Sequence, residues 1–131
     1  MNKAMSERNK HLIKRIMDAI SRENGNFYLD HLAENMKWNI VGMPVIEGKK
    51  EVLETIKELH LENFNLSKIK NIVAEGEFVV VESIGKTTGN YFCDIYQIKY
   101  DKIQELTSYI VDTSSIESAG DIKREIFYKQ V

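Results

Sequence analysis

Residues Asn90–Asp112, NYFCDIYQIKYDKIQELTSYIVD, read as two long strands joined by a tight turn around Tyr100-Asp101. Successive side chains of a strand point to opposite faces. Phe92, Asp94, Tyr96 and Ile98 therefore share one face, and Tyr91, Cys93, Ile95, Gln97 and Lys99 share the other. A carboxylate in a row of Phe, Tyr and Ile is costly unless it is paired, protonated or used. Asp94 is thus the leading candidate for a functional residue.

Upstream of this pair, Phe78–Lys86 opens with FVVVESIG, a run of strong strand character. Glu75-Gly76-Glu77 turns the chain into it from a less regular strand over Leu66 to Ala74. Further back, Leu12, Ile13, Ile16, Met17 and Ile20 recur at helical spacing from Ser6 to about Arg22, with Ser6 as N-cap and Asn24-Gly25 as the stop. Asn26 can cap a short second helix, Phe27 to Ala33. Met36 to Val41 alternates as a strand, with Met36, Trp38 and Ile40 on one face and Lys37, Asn39 and Val41 on the other. Gly42 to Gly48 reads as a loop around the single proline, Pro44. Helical spacing returns from Lys49 to about Leu61 through Val52, Leu53, Ile56, Leu59 and His60, until Asn63 and Asn65 break it. After Thr113 the chain is polar, then weakly helical in pattern, a tail or short terminal helix. Helices grouped before four consecutive strands predict an α+β fold rather than a doubly wound sheet, with the strands joined by short turns pairing antiparallel.

At 131 residues the chain fits one domain with a core of its own. Its 43% hydrophobic and 29% charged residues are an ordinary soluble mixture. A formal net charge of −2 argues against a non-specific nucleic-acid binder, which is usually basic. The polar start MNKAMSERNK has no apolar signal core behind it, and no apolar run approaches the roughly 20 residues of a membrane span. A cytoplasmic location is the expectation. The lone Cys93 cannot form an internal disulfide, and His11, His31 and His60 fall in three separate segments with no metal-ligand spacing. Neither a metal nor a cofactor is expected, nor is a Cys-His nucleophile, a G-x-S-x-G elbow or a phosphate-cradling glycine loop found.

The element order resembles the nuclear transport factor 2-like superfamily, which includes ketosteroid isomerases, SnoaL-like polyketide cyclases and limonene-epoxide hydrolases. The resemblance is carried by Phe27-Tyr28-Leu29-Asp30-His31-Leu32-Ala33-Glu34-Asn35-Met36-Lys37-Trp38 as second helix running into first strand, and by Glu47-Gly48-Lys49-Lys50-Glu51-Val52 at the start of the third helix. It continues in Ala74-Glu75-Gly76-Glu77-Phe78-Val79-Val80-Val81, in Asp94-Ile95-Tyr96-Gln97-Ile98, in Lys102-Ile103-Gln104-Glu105-Leu106 and in Tyr109 to Asp112. It covers about residues 6–113. It implies a cone-shaped fold, a strongly curved, mostly antiparallel sheet wrapped around N-terminal helices and enclosing an apolar pocket. It also implies a homodimer through the outer sheet face, here Tyr91, Cys93 and Ile95. The fold hosts enzymes and binding modules alike, so function must be argued from the site.

By resemblance, Asp94 falls at the oxyanion-hole aspartate of the ketosteroid isomerases, a carboxyl kept protonated by an apolar site. Asn39 falls close to their general-base aspartate, where an amide cannot take a proton, and the region of Ile16 and Met17 lacks the expected tyrosine. The epoxide hydrolases are similar around Glu82 and Asp112, but Val80 stands where they carry an arginine. From the residues themselves, a three-residue Thr87-Thr88-Gly89 loop with Gly89 left-handed would set Glu82 opposite Asp94, an acid/base pair. A two-residue Thr87-Thr88 loop would set them on opposite faces; Gly89 favours the first. Trp38, Asn39, Phe92, Tyr96, Tyr28, Met43 and Tyr109 are the candidate ligand-lining residues, Met43 from a loop placed to act as a lid. The expected partner is a small, apolar, carbonyl-bearing molecule. The alternative is a cofactor-independent isomerase, cyclase or hydrolase using Asp94 with Glu82.

Overall fold

A computed structural model describes residues 3–21, 25–58, 67–86 and 89–113. The expected features at Arg22 to Asn24, Leu59 to Leu66 and Thr87-Thr88 and in the tail after Thr113 lie outside the described residues. Helix α1 runs Lys3–Ser21, α2 Gly25–Asp30 and α3 Lys49–Glu58. The strands are β1 Leu32–Ile40, β2 Ile46–Glu47, β3 Ser67–Glu75, β4 Phe78–Gly85, β5 Tyr91–Lys99 and β6 Lys102–Val111.

The six strands form one curved mixed sheet in the order β2-β1-β6-β5-β4-β3, with β1 parallel to β6 and every other neighbouring pair antiparallel. The β5–β6 turn has φ of 55° at Tyr100 and 58° at Asp101. Two consecutive left-handed residues match the tight hairpin turn whose twist suits the strands. Backbone strain at two non-glycine residues is offset locally: His31 Nδ1 lies 3.0 Å from the Asp101 carbonyl oxygen.

The core lies between the helices and one face of the sheet. Ile13, Ile16, Leu32, Met36, Val52, Val79, Val81, Ile98 and Ile103 have at most 2% exposure. The helical stripe read from Leu12, Ile13 and Ile16 is buried, and α1 packs on β3 and β4 while α3 packs on β1 and β2. Alternation in β1 places Met36, Trp38 and Ile40 inward, as the sequence pattern predicts.

Two local expectations are corrected. Ser6 does not cap α1, which begins at Lys3. Its hydroxyl instead accepts a hydrogen bond from Gly76 N at 2.8 Å, and the buried Asn9 one turn on donates from Nδ2 to Gly76 O at 2.9 Å. A tertiary contact to the β3–β4 turn thus takes up the side chain expected to cap the helix start. The loop from Gly42 to Gly48 contains the short strand β2, where Trp38 pairs with Ile46. Two residues are too few for alternation to reveal.

Asn9→Ala leaves the part-buried Gly76 carbonyl without its side-chain donor and is expected to cost about 1–2 kcal/mol in urea unfolding. Arg8→Ala, on the exposed side of the same helix, is expected to change stability by less than about 0.5 kcal/mol.

Candidate functional site

The face of the sheet turned toward the helices carries the site. On β5 it presents Phe92, Asp94, Tyr96 and Ile98; opposite them on β6 stand Ile110, Ser108, Leu106 and Ile103. On the other side Val81 opposes Asp94 and Val79 opposes Tyr96. Beyond β6, Trp38 and Ile40 of β1 pair with Leu106 and Ser108. Among these inward strand residues Asp94 is the one carboxylate.

Asp94 is held by a chain of side chains. Ser108 donates from Oγ to Asp94 Oδ1 at 2.6 Å, and Trp38 donates from Nε1 to Ser108 Oγ at 3.0 Å. Burial pushes the Asp94 carboxyl up to about 6, against the opposing pull of the Ser108 hydrogen bond. The same burial pushes the phenols of Tyr96 and Tyr28 well up, and each therefore stays protonated. Asp94 and Tyr28 both act on Tyr96, which places Tyr28 of α2 with the β5 residues. Trp38, Phe92, Asp94, Tyr96 and Tyr28 are thus brought together.

Glu82, Asn39, Tyr109, Met43 and Asp112 lie elsewhere. Glu82 opposes Cys93, not Asp94, and faces outward, where it accepts a hydrogen bond from Asn71 Nδ2 at 2.8 Å. The cause is the β4–β5 loop. Gly89 is left-handed, with φ of 72°, but Gly85 N donates to Asn90 O and Gly89 N donates to Gly85 O. The closing pair is Gly85 with Asn90, so residues 86–89 form a four-residue loop, which has the facing of a two-residue loop. Asn39 pairs with Thr107 on the outer face, and Tyr109 pairs with Cys93 there and is 46% exposed. Met43 sits in the loop after β1 and is 58% exposed. Asp112 is exposed just past the end of β6.

Sequence reasoning missed Ser108. A hydroxyl in the row Leu106, Ser108, Ile110 is a readable signal. Counting back from the Tyr100-Asp101 turn without interruption, however, pairs Asp94 with Thr107. The register shifts between Gln97 and Ile98, with Gln97 opposite Glu105 and Ile98 opposite Ile103. Gln104 is the extra residue, and this bulge brings Ser108 to Asp94. Cys93 is half-buried on the outer face, and burial, with Asp94 and Glu82 nearby, pushes its thiol up. No group of His, Cys, Asp and Glu that could hold a metal ion occurs among the described residues, and no described helix is long and apolar enough to cross a membrane.

Compared by sequence, the chain matches no family model and no curated protein. Solved structures resemble it over most of its length. An LEH-like epoxide hydrolase from M. tuberculosis superposes with a TM-score of 0.69 at 15% identity, over 92% of this chain and 97% of that one. A protein from Jannaschia sp. CCS1 classed as a SnoaL-like polyketide cyclase gives 0.66 at 12% identity, over 88% and 92%. An NTF2-like protein of unknown function from Cytophaga hutchinsonii ATCC 33406 gives 0.62 at 21% identity, over 78% and 98%. Helices followed by a curved, unclosed six-strand sheet and these likenesses give this chain the nuclear transport factor 2-like α+β fold.

The weakened acidity of Asp94 has a stability consequence. Between pH 3.8, the ordinary value, and about 6 the folded protein holds a proton that the unfolded chain has released. Stability contributed by the neutral carboxyl is therefore complete below that window and lost as pH rises through it, by about 3 kcal/mol in all. Asp94→Asn keeps an acceptor for Ser108 and carries no charge. It is expected to lack this decline and to exceed the parent in stability by about 2–3 kcal/mol near neutral pH, read from denaturant unfolding as a function of pH.

Proposed function

We propose that this protein binds a small, largely apolar, carbonyl-bearing molecule against the concave face of its sheet, with Asp94 as the polar group that orients it. The observation that carries this reading is a single carboxyl set among Phe92, Tyr96, Val81 and Trp38, with one oxygen engaged by Ser108. Ligand sites of this kind are mostly apolar with a few placed polar groups. A thermal-shift screen of apolar ketones on the parent protein tests it. Compounds that stabilise the parent are expected to bind Asp94→Ala roughly tenfold more weakly, the loss of one good hydrogen bond. Equal binding to both proteins rules the assignment out.

One observation favours a catalytic use of the same group. A carboxyl near 6 is matched to proton transfer near neutral pH. It would serve a cofactor-independent isomerase, cyclase or hydrolase as acid, base or oxyanion donor. Glu82 is not its partner, because it lies on the other face. Turnover of any bound ketone would then follow the Asp94 titration and vanish in Asp94→Asn.

The proposed assembly is a homodimer through the outer face. Tyr91, Tyr109, Val111 and Val73 are each more than 40% exposed there, alongside Cys93 and Ile95. Exposed apolar clusters of this kind mark association surfaces. Sedimentation is expected to show a dimer for the parent and a monomer for Tyr109→Glu. A monomeric parent at high concentration counts against it.

A further inference from the structure

Two hydrogen bonds cross three strands at the site, and their direction is fixed by chemistry. An indole N–H can only donate, and a hydroxyl carries one hydrogen. Trp38 Nε1 therefore uses a lone pair of Ser108 Oγ, and the Ser108 hydrogen goes to Asp94 Oδ1. Oδ1 is held as an acceptor whether or not the carboxyl is protonated. The carboxyl proton, when present, then sits on Oδ2, and when lost it passes to water. Among the described residues the one hydrogen bond to the Asp94 carboxyl is that from Ser108.

We propose that Trp38 and Ser108 are positioning residues that confine the titration of the site to Asp94 Oδ2, so that the site takes a hydrogen-bond acceptor on its ligand when that oxygen is protonated and a donor when it is not. The ligand half of this statement rests on Asp94 being the ligand's polar anchor; the relay itself does not. The electrostatic surroundings are simple. Cys93 and Tyr96 neighbour Asp94 on β5, Tyr28 acts on Tyr96 from α2, and Glu82 acts on Cys93 from the outer face. Burial pushes both phenols and the thiol up, so none of them loses its proton below neutral pH. β4 sets Val81 opposite Asp94, and β6 and β1 contribute Ser108 and Trp38. The buried residues of α1, from Asn9 to Ala19, are uncharged. Among the described residues no cation contributes to the Asp94 shift. Its state is set by burial and Ser108, with burial the larger.

Carboxyl-carbon NMR on aspartate-labelled protein reads this directly, with Asp94 assigned by its loss in Asp94→Asn. The parent is expected to titrate near 6. Ser108→Ala is expected to move the midpoint upward by roughly one pH unit, the equivalent of a lost hydrogen bond to a charged group. Ser108→Thr, which keeps the hydroxyl, is expected to restore most of it. Trp38→Phe is expected to move it upward by less, because the serine loses the donor that polarises it. An unchanged or lowered midpoint in Ser108→Ala overturns the relay. If that variant does not fold, a Trp38→Phe midpoint equal to the parent's overturns it instead.

The ligand half uses cyclohexanone and cyclohexylamine, one skeleton with an acceptor or a donor, measured by ligand-observed NMR. Between about pH 5 and about pH 7.5 cyclohexanone is expected to weaken by roughly tenfold and cyclohexylamine to tighten by a similar factor, following the fraction protonated. Both changes should be absent in Asp94→Asn. A normal carboxyl titration with no pH dependence of either probe discards the anchoring role of Asp94 and keeps the relay. The reverse result discards the relay and keeps the anchor.

Discussion

In a sheet with one buried face, a slip of one residue turns every side chain of a strand over. Two small features set that parity here. The four-residue loop closed by Gly85 and Asn90 puts Asp94 opposite Val81 and sends Glu82 outward. The extra residue Gln104 moves β6 by one, so that Ser108 rather than Thr107 meets Asp94. Gln104 is itself held, its Nε2 donating to the Lys99 carbonyl at 3.0 Å. Without the bulge β6 would turn Glu105, Thr107 and Tyr109 inward, and Thr107 rather than Ser108 would stand opposite Asp94. Parity at these two points decides both what the core excludes and what the site can do.

A cone of this kind also needs its helix seated against the sheet. Gly76 takes part through both its peptide groups, N to Ser6 and O to Asn9, and it is left-handed, with φ of 57°. Glycine adopts that conformation without the cost borne by residues with a Cβ. α1 is thereby tied to the tip of the β3–β4 hairpin while its apolar stripe lies over β3 and β4. The seat is polar and local, and the stripe supplies the burial.

Much of the fold was legible because long periodic segments speak for themselves. The stripe Leu12, Ile13, Ile16, the alternation of Met36, Trp38 and Ile40, and the valine-rich β4 each carry enough repeats to fix type and facing. The Asp94 row was legible for the same reason. What was not legible depended on counts of one residue. Gly89 pointed correctly to a left-handed residue but not to the length of the loop it closes. The Gln104 bulge has no composition signature, so Ser108 could not be paired with Asp94 in advance. Asn39 and Tyr109, expected to line the ligand, are turned outward by alternation from Trp38 and from Ser108. A serine caps a helix only where the helix begins just after it, and α1 begins earlier, at Lys3.

The resulting site differs from an arrangement of two carboxylates in what it can do. Two acids sharing a pocket push their acidities apart and divide the roles of acid and base. Here Glu82 lies behind the sheet and Asn39 faces away from Asp94, so the inward strand residues hold one group that titrates near neutral pH. Its neighbours Tyr96 and Tyr28 keep their protons and offer hydrogen bonds rather than proton transfer. A lone carboxyl can orient a ligand, or take a proton and give it back, but it cannot act as acid and base at the same moment. In the proposed site Ser108 engages Oδ1, which leaves Oδ2 for both recognition and proton transfer.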